Sequence, residues 1–327
     1  MMQRRLGTGG PMVSAFGLGC LSFGGTFGPT TDADSQAVLD AAWDQGITLF
    51  DTANIYGAGR SETQIGTWMR RTGHRPVLAT KAGFSRAAKG GVDNAPAHLR
   101  AELDASLRRL GVEHVALFYV HRHEKSRPIE EVADTLGRLI DEGKIGGYGL
   151  SEVAPYTLRL AHAVRPVRAV QNEYSLWTRL PELGLIQTCA ELGTAFVPFS
   201  PLSRGIFGAV SFDPAAFAPG EIRIEMPRFS AENWPRNRVK ALQFHDFAAQ
   251  RGETPSALAL AWVLAQGPHI LPVPGTRYAR HLADWQGADQ ITLTPDDRAE
   301  IDRILPVGWA FGDRYSDAQS LTSERFC

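Results

Sequence analysis

The sequence predicts an α/β fold, a (β/α)8 TIM barrel with an N-terminal β-hairpin and long loops on the face where the strands end, and three observations carry that expectation. Short apolar runs alternate with helix-period segments from about residue 15 to about residue 290, the order of repeated strand–helix units on a parallel sheet. Eight such units can be counted. Asp51, Tyr56, Lys81 and His121 stand just beyond the apolar runs Ile47 to Phe50, Val77 to Ala79 and Val115 to Val120. In such a barrel the carboxyl ends of the strands converge on one face, where catalysis takes place, so three separate stretches meet in one pocket.

In chain order, residues 1–14 fall outside the repeat. Arg4 to Leu6 and Met12 to Ser14 flank a Gly-rich turn and predict a hairpin able to plug the bottom of the barrel. Val38, Leu39, Ala42 and Trp43 recur at helical spacing before the strand Ile47 to Phe50, and Leu99, Leu103, Leu107 and Leu110 do so before Val115 to Val120. A further helix carries Ile129, Val132, Leu136, Leu139 and Ile140. Gly146 to Leu150 then reads as strand five, Ala169 to Gln171 as six, Ala195 to Val197 as seven and Ile270-Leu271 as eight. Thr254-Pro255 and Thr294-Pro295 each place a capping hydroxyl before a proline at the first helical position. Pro198, Pro272 and Pro274 cannot donate to a ladder and are expected at strand ends. The segment 203–236, rich in Gly, Pro and Phe and without periodicity, is a candidate lid. Residues 306–327 form a C-terminal tail.

The 327 residues suffice for one barrel domain, 1–327, with no second domain required. A net charge of -1 gives no reason to expect a nucleic acid or an anionic membrane as partner. Cys20, Cys189 and Cys327 are odd in number and widely spaced, which fits a reducing compartment and neither a disulfide framework nor a zinc site. The start Met1 to Gly7 lacks the apolar core of a secretory signal, and no stretch approaches the roughly 18 apolar residues of a membrane span. A cytoplasmic enzyme is the expectation, with a homo-oligomer left open.

Asp51-Thr52-Ala53-Asn54-Ile55-Tyr56-Gly57 followed by Ser61-Glu62 strongly resembles the aldo-keto reductases. Further segments agree in order along nearly the whole chain. Gly17-Leu18-Gly19-Cys20 is similar to the family's first strand, Ala79-Thr80-Lys81 to its lysine strand and Tyr119-Val120-His121 to its histidine strand. Gly149-Leu150-Ser151 resembles the strand that meets the cofactor amide, Pro201-Leu202-Ser203-Arg204-Gly205 the pyrophosphate loop, and Pro272-Val273-Pro274-Gly275-Thr276-Arg277 the segment that grips the adenosine phosphate. Gly312-Asp313-Arg314-Tyr315 resembles the branch of bacterial and plant reductases of bulky ketones and aldehydes.

The resemblance implies hydride transfer from a reduced nicotinamide to the carbonyl of a small molecule, reversibly, with Tyr56 as general acid and Asp51, Lys81 and His121 beside it. Free tyrosine titrates near 10, and an ammonium about 4 Å away attracts the phenolate by roughly 4 kcal/mol at an effective dielectric near 20, about three pKa units before desolvation. Lys81 is therefore expected to bring Tyr56 down, Asp51 to keep Lys81 charged and aimed, and His121 to orient and polarise the carbonyl. A metal reading of His121, His123 and Glu124 is weak, because zinc needs three or four convergent ligands while successive strand residues point opposite ways.

No strand–Gly-x-Gly-x-x-Gly–helix unit is present, so a doubly wound dinucleotide fold is not supported. By resemblance, Ser151 and Gln171 bond the nicotinamide amide and Phe199 stacks on its ring. Cys20, Asp51 and Ser200 line the same site, and Leu202, Arg204 and Gly205 line the pyrophosphate. Gly275, Thr276, Arg277, His281, Asp284 and Trp285 take the adenosine end. Arg277, Arg280 and His281 at the expected start of the last barrel helix favour NADPH/NADP+ over NADH. Many relatives have Asn after the serine where this chain has Glu152. Trp285 either stacks on adenine or packs. Leu21, Phe23, Arg122, Trp177 and the tail from Trp309 to Tyr315 are candidate substrate contacts with Tyr56 and His121, suited to a bulky polycyclic or sugar-like carbonyl. Two other classes compete: a nucleotide-binding regulatory subunit without significant turnover, and a metal-dependent hydrolase with His121 and Asp51 as ligands.

Overall fold

The computed structural model describes every residue except Arg86, Lys89, Ala209, Val210, Ser211 and Cys327. Cys327 and part of the 203–236 segment therefore lie outside the described residues. Strands β1 (Gln3–Arg5) and β2 (Met12–Ser14) pair antiparallel. Strands β3 (Leu18–Gly19), β4 (Leu49–Asp51), β5 (Val77–Ala82), β6 (Leu117–Val120), β7 (Tyr148–Ser151), β8 (Ala169–Gln171) and β9 (Ala195–Phe196) follow one another in a single parallel sheet.

The ring is completed by the segment 270–274. Isolated bridges join Ile270 to Phe196 and Val273 to Phe199, while Gly17 N donates to Pro272 O at 2.9 Å and Gly19 N to Pro274 O at 2.7 Å. Pro272 and Pro274 thus lie within the closing segment and not at its end, as the sequence had suggested. They accept from the β3 side and give nothing back, which explains why the eighth position is a string of bridges and not a ladder.

Side chains alternate along each strand, as a pleat requires. Leu49, Ala79, Leu117, Ala169, Ala195 and Leu271 face the interior, where Leu6 and Val13 of the hairpin join them. Phe50, Leu78, Phe118, Leu150, Val170 and Phe196 face the surrounding helices. The interior tolerates little variation at Gly149, where a Cβ would lie 2.4 Å from the Tyr119 ring.

Helices α1 (Asp32–Asp44), α2 (Arg60–Thr72), α3 (Pro96–Leu110), α4 (Ile129–Asp141), α5 (Pro155–Val164), α6 (Leu185–Leu192), α7 (Trp234–Gln250), α8 (Pro255–Leu264) and α9 (Pro295–Ile304) follow. Thr31 and Thr294 form capping boxes with Asp34 and Asp297, and Thr254 accepts from Ala257 N, so both Thr-Pro start signals mark real helix beginnings. The helix expected to open at Arg277 is instead a seven-residue 3-10 turn, Ala279–Trp285. That is too short to present a helix-terminal field, which leaves only the side-chain charges of Arg277 and Arg280 to attract a phosphate there.

The described residues of the 203–236 segment hold four 3-10 turns, and the segment reaches the start of α7. Its Arg223 guanidinium lies 4.1 Å from the Phe217 ring centre and 4.7 Å from that of Phe212, so these three side chains pack together. Among the described residues no helix is long and apolar enough to cross a membrane.

Candidate active site

Two of the runs reach further than expected: Asp51 is the last residue of β4 and Lys81 lies within β5, whereas His121 directly follows β6 and Gln171 ends β8 as expected, and Ser151 ends β7. Strand register sets Ser151 beside Gln171. Tyr56 rides on the turn after β4, which Asn54 N ties to Lys81 O at 3.1 Å. That turn packs directly on the turn after β3: a Cβ on Gly24 would sit 2.4 Å from Gly57 N. Behind it, Ser61 donates to Cys20 O at 3.0 Å, and the wholly buried Glu62 carboxylate accepts from Thr80 and, at 2.6 Å, from Arg109. The Ser61-Glu62 pair therefore locks α2 against β5 and α3.

Lys81 is the hub. Its wholly buried Nζ pairs with Asp51 Oδ1, donates to Thr52 O at 2.7 Å and reaches the Tyr56 hydroxyl at 3.5 Å. Asp51 Oδ2 accepts from Gln171 Nε2 at 2.9 Å. The His121 ring meets the Tyr56 ring edge-on at 5.8 Å and the Phe84 ring at 4.9 Å. His121 Nδ1 is buried without a partner, which leaves Nε2 as the nitrogen with room for a ligand.

The electrostatic balance departs from the pairwise expectation. Burial raises the Tyr56 hydroxyl above its ordinary value, outweighing the pull of Lys81. The ammonium is shared among Asp51, Thr52 O and the phenol, and it stands at the long end of hydrogen-bond reach from Tyr56. Burial opposes charge on Lys81, but Asp51 and Tyr56 more than offset it, so its titration also moves up. Burial first, then Arg122 and Lys81, hold His121 well below the ordinary histidine value. At neutral pH the site therefore presents a phenol, an ammonium and a neutral imidazole.

Asp51 fixes which way round the Gln171 amide sits. A carboxylate only accepts, so the amide nitrogen must face Asp51 and the oxygen is left to accept from a ligand. Ser200, Ser203 and Arg204 all adopt left-handed backbone (φ 52, 53 and 58°), a concentration of strain typical of ligand-gripping loops. Arg277 extends toward Gly28, where its Nη1 lies 2.6 Å from the position of an added Cβ. Thr276 and His281 bond each other at 2.8 Å.

Other expected contacts fall elsewhere. Phe23 is wholly buried in the core and lines no accessible surface. Trp285 is likewise core, 2 % exposed, so it packs and offers no free face to an adenine, while Asp284 accepts through its main chain from Thr254. Trp177 packs against Phe229 and Trp309, with the Arg228 guanidinium 4.8 Å from its ring centre. Arg204 is buried and bonded to Glu173 at 2.8 Å and to the Tyr315 hydroxyl at 3.1 Å, so its charge is already engaged.

A buried tail network escaped the sequence reading. Arg314 pairs with Glu152 and reaches Glu173 at 3.5 Å, and Glu324 accepts from Ala154 N and Thr157 Oγ1, both at 2.7 Å. Its one sequence signal was Glu152 standing where relatives carry Asn. Burial opposes the Glu152 charge, but Arg314, Arg122 and hydrogen bonds bring its carboxyl down to about 2. Among the described residues no group of three or more His, Cys, Asp or Glu converges as metal ligands.

Comparison with known proteins agrees with this geometry. The family model described as "Aldo/keto reductase family" matches residues 15–306. A probable aldo-keto reductase 1 of Glycine max is 38% identical over 317 residues, covering 95% of this chain and 91% of that protein. The aldo-keto reductase yakc [NADP(+)] of Schizosaccharomyces pombe is 37% identical over 315 residues, covering 94% and 93%. Among solved structures, a glycerol dehydrogenase of Gluconobacter oxydans superimposes with a TM-score of 0.84 at 28% identity, covering 93% of this chain and 94% of that one.

Proposed function

The chain belongs to the aldo/keto reductase family of NAD(P)H-dependent oxidoreductases, and from that premise we propose that it reduces a bulky aldehyde or ketone to the alcohol, reversibly, with NADPH as cofactor. The observation that carries this reading is Lys81 held between Asp51 and Tyr56 with a neutral His121 ring against the phenol.

Bound NADPH supplies the hydride for the carbonyl carbon. The protein does the rest. His121 Nε2 donates to the carbonyl oxygen and fixes its direction. Tyr56 gives that oxygen its proton, and the ammonium of Lys81 stabilises the phenolate left behind, so its attraction is strongest where charge develops and not in the ground state. Asp51 keeps Lys81 protonated and aimed. Ser151 and Gln171 hold the carboxamide, Phe199 backs the ring, and the strained backbone at 200–205 takes the pyrophosphate. Cys20, expected to line the cofactor, is wholly buried beside Asp51 and offers a ligand no surface.

The preference for NADPH rests on Arg277 and Arg280, cations that suit a 2′-phosphate. The yakc relative is named for NADP(+). Leu21 at the rim and the exposed Phe311 of the tail suit a large carbonyl compound. The test is a panel of small aldehydes and bulky ketones assayed with NADPH and NADH, on wild type and Arg277→Ala. Turnover of the bulky substrates with NADPH, and loss of roughly tenfold in NADPH affinity but not NADH affinity in the variant, supports the reading. Equal use of both nucleotides by both proteins overturns the cofactor assignment. Tight nucleotide binding without turnover of any substrate points to the regulatory class.

A further inference from the structure

Arg122 is a buried cation that the four-residue site does not use. It is 9 % exposed, and no carboxylate lies within ion-pair distance of it among the described residues. Its Nη1 donates to His121 O at 2.6 Å and to Ser151 Oγ at 3.2 Å, its Nε is buried without a partner, and its guanidinium carbon stands 5.5 Å from the Phe84 ring centre. One nitrogen thus links the end of β6, which presents His121, to the end of β7, which presents Ser151.

The chemistry of the serine follows from that link. A guanidinium can only donate, so Ser151 Oγ accepts from it, and the single hydroxyl proton must go to an acceptor elsewhere. Ser151 is 2 % exposed, and no acceptor for that proton is found among the described residues. Gln171, beside it in register, has its nitrogen committed to Asp51 and its oxygen free to accept. The two strand ends therefore offer one outward donor and one outward acceptor, the complement of a primary carboxamide held one way round.

We propose that Arg122 is a positioning residue and not a substrate contact: by donating to Ser151 it fixes that hydroxyl as a donor to the carboxamide oxygen of the nicotinamide, and by donating to His121 O it holds the carbonyl-orienting imidazole in register with it. The inference rests on the cofactor assignment above. It gives a direction to both amide bonds, oxygen to Ser151 and NH2 to Gln171. It also makes the cation's effect on binding depend on the acceptor strength of one cofactor atom.

That dependence is the test, and it is read as binding, apart from turnover. Dissociation constants are measured by fluorescence titration of wild type, Arg122→Met, Arg122→Lys, Ser151→Ala and the Arg122→Met/Ser151→Ala double variant. The ligands are NADP+, its thionicotinamide analogue, whose sulfur is a poor acceptor, and its 3-acetylpyridine analogue, which keeps the carbonyl and lacks the NH2. Arg122→Met should weaken NADP+ and the acetylpyridine analogue by about tenfold and the thio analogue by about twofold at most, as expected for one oriented hydrogen bond. Arg122→Lys should recover part of the loss, and in the Ser151→Ala background Arg122→Met should cost nothing further. Equal losses for all three nucleotides, or a full loss that persists without Ser151, would show a merely structural cation and overturn the assignment. Should Arg122→Met fail to fold, the same pattern read in Arg122→Lys decides between the two. Wild-type protein that binds none of the nucleotides overturns the cofactor reading itself, and this assignment with it.

Discussion

At the scale of single residues, the site is governed by competition for one ammonium. Lys81 serves Asp51, Thr52 O and Tyr56 at once, and the phenol is the most distant of the three. Burial therefore decides the resting state of Tyr56, and in the proposed reaction the cation would act as the proton leaves. The consequence for pH is directional. Because the Tyr56 hydroxyl titrates above its ordinary value, the protonated acid persists to pH above about 10, while His121 stays neutral until pH falls well below its usual range. The rate of carbonyl reduction at saturating NADPH should therefore stay level from about pH 7 to about pH 9, whereas alcohol oxidation, which needs the phenolate, should rise across that interval. A reductive limb that falls with a midpoint near pH 7 to 8 would contradict this assignment. The four residues were legible in the sequence because each follows a recognisable apolar run. Their proton balance was not, since a pairwise estimate for Lys81 and Tyr56 leaves out both the desolvation of the phenol and the rival claim of Asp51.

Among the structural elements, the two Thr-Pro starts and the hairpin could be read from local chemistry, because caps and turns are decided by a few adjacent residues. Segment 279–285 could not, as its helix-compatible residues say nothing about whether an α-turn or a 3-10 turn fits beneath α1 and α8. The tail was illegible for a different reason: Arg314 answers carboxylates 162 and 141 positions away. Those buried pairs make the tail a proton-linked element. The Glu152 carboxyl sits at about 2 in the folded protein against 4.5 ordinarily, so its contribution to stability is complete above about pH 4.5 and is lost as pH falls toward 2. Glu173 and Glu324 are shifted the same way, by Arg204 and Arg314 and by His123 and the start of α5, each against the opposing effect of burial. The urea midpoint of the wild type should therefore drop steeply below about pH 4.5. Glu152→Gln should start from a lower midpoint at pH 7 and fall less steeply, and parallel curves for the two proteins would show that the Glu152–Arg314 pair carries no such linkage.

For the whole molecule, the barrel explains why residues from β4, β5, β6, β7 and β8 share one pocket: a closed parallel sheet brings every strand's carboxyl end to the same rim. Closure is carried by bridges from Ile270 and Val273 and by two proline carbonyls, and the hairpin seals the opposite end with Leu6 and Val13. Strand order was legible because each strand is followed by its own helix. The eighth strand was the least regular because prolines remove two of the five main-chain donors of 270–274. In the proposed function this rim transfers a proton from Tyr56 to a carbonyl oxygen while the nucleotide is held by other residues. The measurement that meets it most directly is a single-turnover trace of NADPH consumption with a reactive aldehyde, in wild type and Tyr56→Phe, with the NADPH dissociation constant determined on the same samples. The rate in Tyr56→Phe should fall at least about a hundredfold at unchanged affinity. A variant that keeps its rate would contradict Tyr56 as the acid, and one that loses affinity in step with rate would show the phenol to be a binding group.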